Sequence, residues 1–248
     1  MQRLGKNMGG YRGEGIDVQD VLRRFDKAVA GKNWVRENDF LAFRRTVASP
    51  RVSIYLSTGS HGDEPAGPLT MLQMLEEDRW PADASLWVCP CLNPTGFALN
   101  QRENAQGIDL NRDYRHLQTA EVRAHVAWLE RQPSFDLAFC LHEDWEAAGF
   151  YLYELNPDGR SSYAEIMVEA AAKVCPIDLS PIIEGREARG GIVRPLVDLA
   201  ERPLWPEAFY LVTHKTRQSY TLESPSDFPL QTRVAALAAA VEAVLKLL

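Results

Sequence analysis

The apolar segment at residues 51–58 constrains the fold most, because it leads directly into a polar motif and then a helix start. Residues 52–57 (VSIYLS) have the length and apolar character of a buried β-strand. Pro65 follows, and proline suits the first turn of a helix because no N–H donor is needed there. A buried strand followed closely by a helix is typical of a sheet that is covered by helices.

The same alternation of strand and helix continues along the chain. Helices are predicted at residues 17–30, 66–77, 119–129, 161–174 and 229–248. Strands are predicted at residues 40–47, 52–57, 86–92, 135–141, 149–155, 209–213 and 219–222. Residues 93–115 lack a clear period and are predicted to be a long functional loop or disordered, and residues 179–194 a loop or hairpin. We therefore expect one α/β domain over residues 1–248, with three α/β/α layers around a twisted, mixed, mostly parallel sheet.

Composition and charge narrow the classes of partner. The 248 residues carry a formal charge of −7, which argues against binding to nucleic acid or to an anionic membrane surface. No apolar run is long enough to span a bilayer, and the N-terminus does not resemble a secretory signal, so a cytoplasmic location is expected. The four cysteines are expected to pack in the core rather than form disulfides. The oligomeric state is not determined by these features.

The polar motif after the first buried strand contains two candidate metal ligands. His61 and Glu64 are three residues apart, between a predicted strand and a predicted helix. Zinc accepts imidazole nitrogen and carboxylate oxygen, and a catalytic zinc site needs three protein ligands and an open position. The third ligand must therefore come from another part of the chain.

The remaining four histidines differ in their sequence context. His142 follows an apolar predicted strand and precedes the polar pair Glu143-Asp144, so it is the preferred third ligand. His214 also ends an apolar segment and is the second choice. His116 lies in the polar loop and His125 in a predicted helix, where solvated or capping roles are expected.

Several motifs together resemble the zinc carboxypeptidase family. They occur in the order His61-Gly-Asp-Glu64, Asn93-Pro-Thr-Gly96, Arg102, Gly107-Ile-Asp109-Leu-Asn111-Arg112, His142 and Thr221-Leu-Glu223. The similarity extends from about residue 52 to the C-terminal helix, and the chain is similar in size to compact bacterial members that act on small peptides. The resemblance implies one Zn²⁺ per chain. It also implies a role for each of seven residues, namely zinc binding by His61, Glu64 and His142, oxyanion stabilisation by Arg102, substrate-carboxylate binding by Asn111 and Arg112, and general base and acid catalysis by Glu223.

The implied function is a zinc metallocarboxypeptidase that hydrolyses a terminal peptide amide next to a free carboxylate, with zinc-activated water and Glu223 as the base. The alternative is a zinc-dependent N-acyl amino-acid deacylase that resembles succinylglutamate desuccinylase and aspartoacylase. A third possibility is an inactive relative that binds carboxylate ligands or a protein partner. Arg115 is an alternative to Arg112 in a salt-bridge role, and the other possibility is that either arginine only pairs with surface carboxylates.

Other polar and aromatic residues also have expected roles. Asp109 is expected to order its loop or to orient a ligand histidine. Glu143 and Asp144 are expected to form a charged turn. Family members carry a mobile tyrosine before the catalytic glutamate, and Tyr210 and Tyr220 are both candidates for that position. Three aromatic residues are candidates for the pocket lining, although a core position is more common for such side chains: Trp145, Tyr151 and Tyr153.

Overall fold

Helices and strands alternate through the part of the chain that the computed structural model describes, residues 3–4, 14–195 and 202–248. The helices are α1 (Val18–Val29), α2 (Ala66–Glu76), α3 (Pro94–Leu99), α4 (Ala120–Glu130), α5 (Ala164–Ala171), α6 (Glu207–His214) and α7 (Leu230–Leu245). The strands are β1 (Val35–Arg36), β2 (Phe43–Arg45), β3 (Val52–Thr58), β4 (Ala84–Cys89), β5 (Leu137–Asp144), β6 (Tyr151–Leu155), β7 (Ile182–Ile183), β8 (Arg186–Arg189), β9 (Ile192–Val193) and β10 (Ser219–Pro225).

These strands form one mixed sheet in the order β1-β2-β4-β3-β5-β10-β6-β9-β8-β7. The four central strands β4, β3, β5 and β10 are parallel to one another. Towards the edges, β2 pairs antiparallel with β4, and β6 antiparallel with β10. Parallel neighbours need crossover connections, and helices supply them here. The predicted α/β class with a mixed sheet is confirmed, with most of the parallel pairing at the centre.

Helices cover both faces of the sheet. On β3, Ile54 and Leu56 point to one face and pack with apolar side chains of α1, α2, α5 and α7. Tyr55, between them, points to the other face and packs with side chains of α4 and α6. Successive strand residues point to opposite faces, so an almost entirely apolar strand is what two covered faces require. The three-layer α/β/α arrangement is thus confirmed.

Two predicted strands differ from the structure. Residues 209–213 lie inside helix α6, which begins after Pro206. A short apolar run does not distinguish a buried strand from a buried helix segment, because it has no visible period. Of residues 40–47, only Phe43–Arg45 forms a strand. His214 therefore ends a helix and not a strand.

The polar segment at residues 93–115 is an ordered loop with two short helical pieces. Asn93 caps α3 by accepting a hydrogen bond from Gly96 N, and Asp109 caps a 3₁₀ turn at Leu110–Arg112. The start of α3 presses against the loop between β3 and α2. A side chain at Gly62 would overlap the backbone of Gly96 and Phe97, so this loop position requires glycine.

Two further expectations can be compared with the described residues. The cysteines are all free and buried, as expected for core packing: Cys89, Cys91, Cys140 and Cys175. Among residues 3–4, 14–195 and 202–248, no helix combines the length and the hydropathy that crossing a bilayer would require.

Candidate active site

The carboxyl ends of three neighbouring strands carry the candidate residues. His61 lies just after β3, His142 near the end of β5, and Glu223 near the end of β10. Glu223 is directly opposite His142 in the parallel pairing of β10 with β5. Because parallel strands end at the same edge of a sheet, residues that are up to 162 positions apart converge there.

His61, Glu64 and His142 form a compact, buried cluster. His61 Nδ1 lies 2.5 Å from Glu64 Oε1, and His142 Nδ1 lies 2.9 Å from Glu64 Oε2. One candidate ligand atom from each residue lies within 4.8 Å of the others. Two imidazole nitrogens and a carboxylate are a donor set that suits zinc, and both histidines turn the same ring nitrogen towards the carboxylate. The three residues therefore fit a metal ion of this type.

Asp109 holds the other side of the His61 ring. Its Oδ1 lies 3.1 Å from His61 Nε2, and its Oδ2 accepts a hydrogen bond of 2.9 Å from Arg102 Nε. Metal-binding histidines commonly donate their second ring N–H to a carboxylate, which fixes the orientation of the ring. The structure thus brings Asp109 and Arg102 to the cluster.

Charges inside the cluster shift its pKa values. Burial would lower the pKa of His61, but Glu64 and Asp109 raise it to about 9. Burial would raise the pKa of Glu64, but the two histidines hold it well below the usual range. The pKa of Asp109 is lowered in the same way, against burial, by His61 and Arg102. The Glu64 and Asp109 carboxylates therefore carry negative charge that favours a proton on His61 or a bound cation.

Glu223 faces the cluster but forms no hydrogen bond with His61, Glu64 or His142. Burial raises the pKa of Glu223 well above its usual range, and the negative charges of Glu64 and Asp144 act in the same direction. His142 and Arg102 oppose this shift. A carboxyl group with a raised pKa is suited to both accepting and donating a proton near neutral pH.

Asn111 and Arg112 lie on the 3₁₀ turn beside the cluster and line the same cleft. Asn111 Oδ1 accepts a hydrogen bond of 2.9 Å from the backbone N–H of Glu207. This bond leaves the Asn111 NH₂ group for a ligand. Arg112 donates to the carbonyl of Asn111. Arg115 instead donates to the carbonyl of Arg202, and it does not line the cleft.

Glu143 is a buried structural residue, so the prediction of a charged turn at residues 143–144 is wrong. It lies in β5, and its Oε1 accepts a hydrogen bond of 2.6 Å from Ala66 N at the start of α2. Arg233 of α7 donates to the other carboxylate oxygen at 2.5 Å. The pair fixes the first turn of α2, two residues after Glu64, to the strand that carries His142. Arg233 also donates to Glu14, so its guanidinium supplies the positive charge that lets the Glu143 carboxylate lie in the interior.

Sequence reasoning missed a buried network beneath the site. Glu207 accepts hydrogen bonds from Tyr55 (2.7 Å) and Ser57 (2.9 Å). His125 connects Tyr55 (2.9 Å) with Tyr114 (2.7 Å), and its burial lowers its pKa to about 3. His125 is therefore neutral and buried, and the prediction of a solvated or capping role is wrong. Pro206 followed by an acidic residue is a helix-start signal that could have indicated Glu207.

The cleft over these residues has a volume of about 670 Å³. Trp145, Tyr151 and Tyr153 line it. Tyr220, one candidate for the mobile tyrosine, is buried and its hydroxyl contacts Glu154. Tyr210, the other candidate, contacts the ring of His214 in its own helix. Neither tyrosine lines the cleft.

His214, the second choice for the third ligand, lies away from the cluster. It ends α6, where it contacts the rings of Tyr210 and Trp205. It neither joins the candidate metal ligands nor lines the cleft. His116 is exposed and donates to the carbonyl of Pro203.

Comparisons with known proteins find similar sequences and a similar fold. Residues 39–128 match a family described as protein of unknown function (DUF2817). A stretch of 111 residues is 32% identical to Carboxypeptidase SOL1 of Arabidopsis thaliana, covering 36% of this chain and 22% of the plant protein. A proposed metallopeptidase from Shewanella amazonensis superposes with a TM-score of 0.81 at 23% identity, over 94% of this chain and 93% of that protein.

A metallo-carboxypeptidase from Pseudomonas aeruginosa, solved in complex with (2-guanidinoethylmercapto)succinic acid, superposes with a TM-score of 0.65 at 17% identity. That match covers 95% of this chain and 70% of the Pseudomonas protein. The chain has the metallocarboxypeptidase fold. The resemblance to the zinc carboxypeptidases is thus confirmed for the fold and, through the plant protein, for part of the sequence. The chain spans about a fifth of that plant protein's length, so its own activity is inferred from the site.

Proposed function

We propose that the protein is a zinc metallocarboxypeptidase that hydrolyses a terminal peptide amide next to a free carboxylate. The observation that carries this proposal is the convergence of His61, Glu64 and His142 within 4.8 Å, beside Glu223 on the adjoining strand. The metallopeptidase and carboxypeptidase names of the relatives support a hydrolase. The cleft volume of about 670 Å³ lies in the range of small-ligand sites and can admit a short peptide.

The three clustered residues would hold the metal through His61 Nδ1, the Glu64 carboxylate and His142 Nδ1. A zinc ion bound there supplies Lewis acidity, which activates water and polarises a carbonyl. Asp109 keeps the His61 ring in place through its second nitrogen. This support maintains the direction of the ligand nitrogen when substrates bind and leave.

Glu223 is the residue that moves protons in this proposal. Its carboxylate accepts a proton from the attacking water and then passes that proton to the leaving amine. The raised pKa of Glu223 favours the proton-holding state between these two transfers. Arg102, held by Asp109 through Nε, presents its remaining N–H groups to the developing negative charge on the carbonyl oxygen.

Asn111 and Arg112 would bind the free carboxylate of the substrate. The Asn111 amide is oriented by the Glu207 backbone, and a guanidinium can bind a carboxylate through two parallel N–H groups. The Pseudomonas relative binds a ligand that carries a succinic acid group, in agreement with a carboxylate-bearing ligand class. Holding this carboxylate places the terminal amide at a fixed distance from Glu223.

The substrate assay separates this function from the deacylase alternative. The zinc-loaded protein is expected to hydrolyse N-blocked dipeptides with a free carboxylate. The same dipeptides with a C-terminal carboxamide are the matched control and should not be hydrolysed. Turnover of N-acyl amino acids alone would reject the carboxypeptidase function in favour of the deacylase.

The residue roles are tested by three variants. His142→Ala is expected to lose bound zinc, whereas His214→Ala, the matched histidine control, should retain it. Unchanged zinc content in His142→Ala would remove His142 from the ligand set. Glu223→Gln should retain zinc and lose turnover by about 100- to 10,000-fold, the usual contribution of a general base. Near-normal turnover would exclude Glu223 as the base.

A further inference from the structure

Three arginines that line the cleft lack an ion-pair partner among the residues that the structure describes: Arg112, Arg186 and Arg202. Arg102, in the same cleft, differs because Asp109 neutralises it at 2.9 Å. Arg112 comes from the 3₁₀ turn, Arg186 from β8, and Arg202 from the segment before α6. Three separate parts of the chain thus bring positive charge to one cleft.

The arginines affect one another electrostatically. Burial lowers the pKa of Arg202, and the positive charges of Arg186 and Arg112 lower it further. Like charges held together in a partly buried place raise the free energy of the protein. A bound anion removes this repulsion and gains hydrogen bonds from the guanidinium groups.

Arg202 is held in place by contacts on both sides. Its guanidinium lies 4.6 Å from the centre of the Phe209 ring. The backbone next to it is fixed to the neighbouring loop, because Arg115 donates to the carbonyl of Arg202 and His116 donates to the carbonyl of Pro203 at 2.8 Å. The position of Arg202 is therefore built into the fold.

Positive and negative side chains both line the cleft. The repulsion that Arg202 experiences comes from Arg186 and Arg112. Glu184 lines the same cleft, where burial and the negative charges of Asp144 and Glu146 raise its pKa and the positive charges of Arg102 and Arg112 oppose that shift. An anionic group is drawn to the part of the cleft that Arg112, Arg186 and Arg202 line, called here the arginine side of the cleft.

The arginine side adjoins the position proposed for the substrate carboxylate. Asn111 accepts its hydrogen bond from the backbone N–H of Glu207 in α6. Phe209 is two residues further along α6, and its ring contacts the guanidinium of Arg202. We propose that the cleft selects peptides whose C-terminal residue carries a second carboxylate, with Arg186 and Arg202 binding that side-chain carboxylate. The inference rests on the proposed carboxypeptidase function and adds the class of its substrate.

The test compares two N-blocked dipeptides that differ in one charged group, one ending in glutamate and one in glutamine. The kcat/KM for the glutamate peptide is expected to be higher by on the order of tenfold or more, and tenfold corresponds to about 1.4 kcal/mol. Arg202→Met keeps an apolar stem over Phe209 and should lower this ratio towards one, as should Arg186→Gln. Arg189→Gln is the matched control on the same strand, exposed and outside the cleft, and should leave the ratio unchanged.

Equal hydrolysis of both peptides by the wild-type protein would overturn the inference. A glutamate preference that persists in both Arg202→Met and Arg186→Gln would overturn it as well. If neither peptide is hydrolysed but other N-blocked dipeptides with a free carboxylate are, the inference is overturned and the proposed function stands. If no such dipeptide is hydrolysed, the proposed function fails, and calorimetric binding of free glutamate and glutamine to the zinc-loaded protein then tests the anion site. Tighter glutamate binding that Arg202→Met abolishes would support the anion site, whereas equal binding of both amino acids would reject it.

Discussion

The ion pair between Glu143 and Arg233 allows a quantitative prediction about stability. Both side chains have no exposed surface, and Glu143 also accepts the Ala66 N–H at the start of α2. Replacing Arg233 by methionine leaves a carboxylate in the interior without its counter-charge. Removing one partner of a buried pair costs about 3–5 kcal/mol. That is a large part of the roughly 5–15 kcal/mol by which domains are usually stable.

The exposed pair between Arg24 and Glu76 is the matched control. It also involves α2, but its side chains are 47% and 38% exposed. Water already solvates both groups, so Arg24→Met is expected to cost at most about 1 kcal/mol. Urea unfolding, followed by circular dichroism, measures the free energy of unfolding for both variants.

A double variant tests the electrostatic cause. In Glu143→Gln/Arg233→Met the buried carboxylate is gone, and the side-chain amide that replaces it can still accept the Ala66 N–H through its carbonyl oxygen. The double variant should therefore be more stable than Arg233→Met alone. Its cost should be smaller than the sum of the two single costs by about 1 kcal/mol or more, within the range of measured coupling energies. The reasoning is refuted if Arg233→Met costs no more than Arg24→Met, or if the double variant costs as much as the sum of the costs of the single variants Glu143→Gln and Arg233→Met.

Three further predictions concern the polar residues around the site. In metal-free protein, a His61 pKa of about 9 contributes stability that is complete below about pH 6.5 and is lost as the pH rises to about 9, so the unfolding midpoint should fall over that window. His61→Asn should remove this pH dependence. Asp109→Asn should lower zinc affinity by about 10- to 100-fold in a chelator competition, and an unchanged affinity would contradict its supporting role. Tyr55→Phe should cost about 1–3 kcal/mol in urea unfolding, because His125 and Glu207 each lose a buried hydrogen-bond partner.

Some features of the fold could be predicted because local chemistry decides them. The buried strand at residues 52–57 was recognisable from its apolar run, and the helices predicted at residues 17–30 and 119–129 match α1 and α4 closely. Helix α6 was mistaken for a strand, since its apolar residues face buried surroundings and show no period. The choice between helix and strand for such a segment is made by the neighbours against which it packs.

The candidate metal ligands were likewise predictable from the sequence only in part. His61 and Glu64 are close in sequence, so their joint role was accessible from spacing alone. The order of motifs along the chain then indicated His142 and Glu223. Only the parallel pairing of β3, β5 and β10 decides that these residues meet and that His214 does not join them.

Local patterns along the chain were enough to predict the alternation of strands and helices and the residue types that could bind a metal, because spacing, turn residues and apolar runs are local properties. The tertiary structure alone decided the burial of Glu143 with Arg233, the network around Glu207 and the arginine side of the cleft. Those features join groups that are far apart in the chain. Their charges and hydrogen bonds acquire direction and strength only when folding brings them together and removes water.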